Sequence, residues 1–239
     1  ELKELYASFS RGGTSPLTEL PIQYADFAVW QREQLQGEAL ESELAYWRNQ
    51  LEGAPSVLEL PADHTRPAQP TYSGKTVSRT FPLSLLGALK KLGDEEGTTL
   101  FMTLLAVFET LLHRYTGGDD LVVGSVVANR NRPEIEGLLG FFVNTIVLRT
   151  DLSENPSFRE LLRRVREVTL EAYAHQDLPF ERLVEELRPD RNLSQSPLFQ
   201  VMFVHQNTPQ ESLELPGLAV APLEVDYGAS KFDLTMFTY

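Results

Sequence analysis

The stretch from Thr98 to Tyr115 constrains the fold more than any other. Phe101, Leu104, Leu105, Phe108, Leu111 and Leu112 recur at helical spacing and form a broad apolar stripe that must be covered. Gly117-Gly118 stops that helix. Leu121 to Ala128 follows almost at once, a β-branched run that predicts a strand buried on both faces. A wide-striped helix feeding such a strand needs packed layers, so the pattern predicts an α/β protein with a mixed sheet.

The rest of the chain supplies further elements. Leu2, Leu5, Tyr6 and Phe9 follow helical spacing up to Gly12-Gly13. Tyr24 to Leu35 and Glu38 to Leu51 read as helices, the second with Leu40, Leu44, Trp47 and Leu51 on one face. Pro55, Pro61, Pro67 and Pro70 then mark extended, irregular chain and the expected boundary between two lobes. Strands are predicted at Lys75 to Phe81, Leu121 to Ala128, Phe141 to Asp151, Leu198 to Gln206, Leu218 to Val225 and Phe232 to Tyr239. Helices are predicted at Leu83 to Glu96, Ser157 to Ala174 and Pro179 to Leu187, and Asn129 to Gly137 reads as a polar loop. The pattern at Glu1 is already helical and uncapped, and Lys231 to Tyr239 ends without a turn, so a longer parent polypeptide is expected.

Composition narrows the function. Of 239 residues 42% are hydrophobic, enough for a sizeable core. A net charge of −13 argues against nucleic acid and anionic membranes as partners. There is no cysteine, which removes disulfides, thiolate zinc sites and a cysteine nucleophile, and fits a cytoplasmic setting. No apolar run approaches the roughly 20 residues of a membrane-spanning helix. The four histidines, His64, His113, His175 and His205, show no metal-ligand spacing, so no metal site is expected. No phosphate-binding glycine loop and no G-x-S-x-G elbow is present.

A few residues stand out. His175 ends a long helix, with Asp177 two residues on. It reads either as an acid–base or positioning residue, or as the terminator of one helix while Asp177 caps the next. Asn144 is polar inside an apolar strand and must either line a cleft or join a buried polar network. Arg149 ends that strand, either solvated or paired with a carboxylate. Trp30 reads as core more readily than as site, Asp26 as a local cap or partner, and Asp119-Asp120 as a solvated turn.

Four segments together resemble the condensation domains of nonribosomal peptide synthetases. Tyr24 to Trp30 is similar to that family's Y-x-D-[FY]-A-V-W motif, and Gly140 to Thr145 with Arg149 to its G-x-F-V-N-T-x-x-x-R motif. His175 to Glu181 resembles H-Q-D-x-P-F-E. Asp190 to Phe199 loosely resembles R-D-x-S-R-N-P-L, with Gln195-Ser196 where the family has Arg-Asn.

The resemblance implies a chloramphenicol-acetyltransferase-like, two-lobed sandwich. Residues 1–72 would close the first lobe and provide the crossover, and 73–239 would form most of the second. It also implies amide-bond formation between thioesters on the phosphopantetheine arms of donor and acceptor peptidyl carrier proteins. An adenylation domain would neighbour it in the same polypeptide, and no cofactor would be bound directly. The family's H-H-x-x-x-D-G signature has no counterpart in 1–239, so no catalytic residue is expected in this chain and the isolated chain is expected to be inactive. Tyr24, Asp26, Trp30, Asn144, Arg149, His175 and Asp177 are the motif-matched supporting residues. The resemblance gives Arg149 a structural ion pair, with the signature aspartate as a candidate partner. A noncatalytic carrier-docking module of the same fold is the alternative. An epimerising relative is disfavoured by Phe203-Val204-His205-Gln206, where that branch carries an Asn-Tyr-Leu-Gly type segment. A heterocyclising relative would carry D-x-x-x-x-D upstream.

Overall fold

A computed structural model describes residues 1–187, 196–207, 213–223, 225 and 227–239. Helices α1 (Leu2–Phe9), α2 (Tyr24–Gln34) and α3 (Gly37–Leu51) come first. A long irregular segment leads to α4 (Leu83–Glu96) and α5 (Leu100–Thr116). Then come β1 (Asp120–Val127), the single turn α6 (Pro133–Glu136), β2 (Asn144–Asp151), α7 (Phe158–Ala174), α8 (Phe180–Leu187), β3 (Val201–His205) and β4 (Leu234–Thr238).

Local chemistry sets the helix ends. The Thr99 hydroxyl accepts from the Met102 N–H at 3.3 Å to start α5, and Gly117 closes it in the left-handed region at φ 71°. Ser157 starts α7 in the same way, accepting from the Glu160 N–H. At α2 the cap is reversed: the Asp26 carboxylate accepts from the Gln23 N–H at 2.8 Å.

The four strands form one mixed sheet in the order β2-β1-β3-β4. β1 and β2 are antiparallel, pairing Asp120 with Asp151 and Val127 with Asn144, while β1–β3 and β3–β4 are parallel. One face lies under α5. There Phe203 packs on Phe101 and stacks on Phe108, and Thr150 bonds to Glu109. On the other face the Phe199 ring lies against Gly124, where a Cβ would overlap it. Trp47, Leu105, Phe108, Leu121, Leu148, Leu162, Phe199 and Phe203 belong to one continuous buried core.

Several strand expectations are corrected. Lys75 to Phe81 is not a strand: Val77 and Phe81 are 79% and 67% exposed, and the nearby pairing is a single bridge, Ser73 to Ala229. The described part of Leu218 to Val225 likewise makes only the bridge Leu215 to Leu218. Alternation gives a strand only where a neighbour takes its hydrogen bonds. β2 starts at Asn144 rather than Phe141, β3 at Val201 rather than Leu198, and β4 at Leu234 rather than Phe232. The loop at Asn129 to Gly137 contains the helical turn α6, started by Pro133. Most of the loosely matched segment, residues 190–195, lies outside the described residues.

The early part of the chain packs on the later elements. Leu44, Trp47 and Leu58 enter the main core. Buried Gln200 accepts from the Leu58 N–H at 2.7 Å and donates to the Ser56 carbonyl. Arg66 pairs with Asp233, and Tyr72 to Gly74 bonds to Gly228 and Ser230.

Candidate functional site

Parallel strands bring the C-terminal ends of β1, β3 and β4 to one rim of the sheet, together with the start of β2. In open α/β sheets the strand C-termini are where ligands bind. Three of the motif-matched segments meet at this rim.

Tyr24 opens α2, and its hydroxyl donates to the Phe141 carbonyl at 3.0 Å. Its ring meets Phe142 edge-on at 5.2 Å and lies over Gly140, where a Cβ would overlap it. Phe27, Ile135, Leu138 and Phe142 form a second small core that fixes α2 and α6 to the rim. Trp30 packs against it, with the Arg132 guanidinium 4.3 Å over its ring, and Arg130 lies 4.2 Å over Phe142.

Asn144 resolves into a buried network. Its Nδ2 donates to the carbonyls of Gln176 and Leu178, each at 2.8 Å. Its Oδ1 accepts from Thr145 N–H at 2.9 Å and from Phe180 N–H at 3.1 Å. One amide thus holds the turn between α7 and α8 and satisfies a donor at the start of α8. This corrects the expectation that Asp177 caps α8. The Asp177 carboxylate instead accepts from Asn131 Nδ2 at 3.0 Å, tying that turn to the β1–α6 loop. Phe27, Trp30, Gln31, Gln34, Leu35, Asn129, Asn131 and Asp177 enclose a small cleft of about 40 Å³ there.

His175 does end α7, but its ring faces α3. Nδ1 lies 3.2 Å from Glu43, the ring stacks on Tyr46 at 3.9 Å, and Trp47 Nε1 donates to its carbonyl at 3.1 Å. Burial raises the Glu43 carboxyl above the usual range, although His175 opposes it. Burial pushes the Tyr46 phenol up to about 12, with Glu171 and Glu43 adding to it.

Arg149 is five residues along β2 from Asn144, about 17 Å away at strand rise, and so lies outside the rim. Its Nε and Nη2 hold Asp120 across the strand pair, at 2.9 and 2.7 Å, and Nη1 donates to the carbonyls of Gln50 and Glu52. Its carboxylate partner is therefore within the chain, and Asp120 is not simply solvated. Asp26 stays local, capping α2.

The rim thus gathers Tyr24, Trp30, Asn144 and Asp177, while Asp26, Arg149 and His175 hold helices in place. Sequence reasoning misses Asn131 and Arg132, which carry no signal before the loop is folded. It also misses Glu109, a carboxylate set inside an apolar stripe. Among the described residues no group of three or more His, Cys, Asp or Glu is placed to hold a metal ion, and no helix is long and apolar enough to cross a membrane.

The family model described as Condensation domain matches residues 1–238. The chain belongs to that family. It is 54% identical over 238 residues to one of the linear gramicidin synthase proteins of Brevibacillus parabrevis, covering 99% of this chain and 5% of that protein. Among solved structures it resembles the X-domain in its complex with OxyB from teicoplanin biosynthesis, with TM-score 0.86 and 32% identity. That likeness covers 98% of this chain and 52% of the other. It also resembles holo-AB3403, a four-domain nonribosomal peptide synthetase bound to AMP and glycine, with TM-score 0.78 and 26% identity over 86% of this chain and 17% of that one. The fold is the chloramphenicol-acetyltransferase-like one expected. The chain spans only a small part of the synthase it matches, and about half of the X-domain chain.

Proposed function

We propose that this chain is part of a condensation domain that forms amide bonds during nonribosomal peptide synthesis. The observation that carries the reading is convergence: Tyr24 to Trp30, Gly140 to Thr145 and His175 to Asp177 are far apart in sequence and meet at one rim. In this reading a donor acyl group arrives as a thioester on one carrier protein's phosphopantetheine arm. The amine of an aminoacyl thioester on a second carrier attacks its carbonyl carbon. The C–N bond forms, the C–S bond breaks, and the thiol leaves with a proton. A thiolate leaves readily, so the main demand is an unprotonated amine held in line. Tyr24, Asn144 and Asp177 keep the rim rigid for that alignment, with Trp30 as part of its wall. Residues 1–72 belong to the first lobe and its crossover, and 73–239 to the second. An adenylation domain adjoins in the parent polypeptide, and the setting is cytoplasmic.

The test is product formation by the whole parent domain with two loaded carrier proteins, followed by intact mass. A new amide-linked acyl group on the acceptor is expected, and none is expected from residues 1–239 alone. Transfer by 1–239 alone would overturn the second expectation, and no transfer by the whole domain the first. A second reading, a noncatalytic docking module, is favoured by the likeness to an X-domain solved in complex with OxyB. The segment upstream of Glu1 separates them: H-H-x-x-x-D-G supports amide formation, and a broken signature supports docking.

A further inference from the structure

Glu43 lies on α3, in none of the segments that point to the site. Its carboxylate is nevertheless drawn inward: the side chain is 19% exposed, and His175 Nδ1 lies 3.2 Å away. Glu43 and Trp47 are one helical turn apart and reach the same residue. Trp47 Nε1 donates to the His175 carbonyl at 3.1 Å, and Tyr46 stacks its ring on the imidazole at 3.9 Å. One face of α3 thus holds both the main chain and the side chain of His175.

His175 is also the first residue of the turn that the rim depends on. The carbonyls of Gln176 and Leu178 accept from Asn144 of β2, each at 2.8 Å, and Asp177 accepts from Asn131 of the β1–α6 loop at 3.0 Å. The Phe180 N–H, at the start of α8, donates to Asn144 Oδ1 at 3.1 Å. Asp177 in turn lines the small cleft at the rim. So α3 bears on the rim through this turn. The setting of Glu43 does not favour stability. Burial raises its carboxyl above the usual range, His175 opposes the rise without cancelling it, and Asp177 adds to it. A carboxyl whose pKa is raised on folding costs stability when it is ionised, as at pH 7. A charge kept at such a cost beside a cleft is one placed for what it positions.

We propose that Glu43 is a positioning residue for the rim, acting through His175. A carboxylate can only accept, so Nδ1 of His175 donates to it, and that bond fixes the first residue of the turn. The turn then carries Asp177 and the two carbonyls that hold Asn144. The effect on the turn stands on this geometry alone. The effect on rate rests on the amide-forming reading of the chain.

The experiment uses the whole parent domain. Glu43→Leu removes the acceptor together with the buried charge, so at pH 7 it is expected to melt no lower than wild type. Hydrogen exchange at the Phe180 amide and the Trp47 indole should nevertheless be at least about fivefold faster, with β1 and β3 unchanged. With loaded donor and acceptor carriers its kcat should fall roughly 10-fold, the scale of a small misalignment, while the KM for the acceptor carrier changes less than about twofold. Glu43→Gln keeps an acceptor and should restore both readouts. His175→Phe keeps the stack on Tyr46 and loses the bond, so it should match Glu43→Leu, and the double variant should be no worse than either. If Glu43→Leu does not fold, His175→Phe carries the same test. Wild-type exchange and rate in Glu43→Leu overturn the proposal. So does a rate loss that comes with a lower melting temperature and uniform loss of protection, which makes Glu43 merely structural. A wild-type domain that makes no product overturns the amide-forming reading instead, and exchange at Phe180 and Trp47 still decides whether Glu43 positions the turn.

Discussion

Glu109 lies on α5 facing β2 and is completely buried. Its Oε1 accepts from the Thr150 hydroxyl at 2.9 Å, and its Oε2 has no partner among the described residues. Burial pushes its pKa from an ordinary 4.5 up to about 8, although the Thr150 bond opposes the shift. The folded state therefore binds this proton more tightly than the unfolded chain. Below pH 4.5 both states hold it and there is no penalty. Between 4.5 and 8 only the unfolded chain releases it, so stability falls as pH rises, and above about 8 the loss is constant. At pH 7 the penalty is roughly 3 kcal/mol. Glu109→Gln should therefore melt higher than wild type at pH 7 to 8 and differ little near pH 4.5. A variant whose melting temperature falls across that window as wild type does would sink the idea. The position is legible in sequence, four after Leu105 and three before Leu112, inside the apolar stripe. Asn144 is legible in the same way, as a polar residue in an apolar run. Its partners, 32 to 36 residues further on, are not, because only the folded turn brings them there. Asn144→Asp removes both donors and sets a carboxylate against two carbonyls. It should cost about 2–4 kcal/mol in urea unfolding, and an unchanged midpoint would show that the turn is held by other contacts.

At the scale of elements, α3 packs into the core through Leu44 and Trp47, and Arg149 ties its last turn to the sheet. The last carbonyls of a helix lack intrahelical donors, and a cation there is favourable. Arg149 supplies both needs, reaching Gln50 and Glu52 with Nη1 while Nε and Nη2 hold Asp120. Lysine keeps the charge but is a single donor point without the planar fork. Arg149→Lys should therefore speed amide exchange in the last turn of α3 about tenfold or more and leave β1 and β3 protected. Uniform loss of protection across the sheet would mean that Arg149 holds the sheet rather than the helix. The helices are legible because stripe and stop are local: α5 ends at Gly117 as the sequence pattern places it, and α5 and α7 start within two residues of the expected Thr98 and Ser157. Lys75 to Phe81 and Leu218 to Val225 are misread because alternation records which side chains alternate, and not whether a neighbouring strand exists. The sheet order β2-β1-β3-β4 is likewise invisible to any local pattern, since it is decided by which apolar faces bury most when α5 and α7 close over the strands.

At the scale of the molecule, two opposing surface properties meet. The net charge of −13 keeps copies apart. Beside the site, however, Leu139, Phe141 and Val143 lie at alternate positions of one loop, exposed by 77%, 76% and 49%. Apolar side chains so placed favour association through that loop. Charge repulsion acts over the screening length, which is about 10 Å at 0.1 M salt and about 3 Å at 1 M, whereas apolar burial does not weaken with salt. The balance should therefore tip with ionic strength. Residues 1–239 are expected to sediment mainly as monomer at low salt and as dimer or larger near 1 M sodium chloride. Replacing Leu139, Phe141 and Val143 together by serine should restore the monomer at high salt, since none of the three side chains contributes to the buried cores. Association that instead weakens as salt rises would assign the contact to charge pairs, and association that persists in the triple variant would place it elsewhere on the surface. The same loop carries the Phe141 carbonyl that receives the Tyr24 hydroxyl, so the triple variant must also keep the α2 contact. Unchanged exchange of the α2 amides at low salt checks that the lost association reports the surface and not a loosened rim.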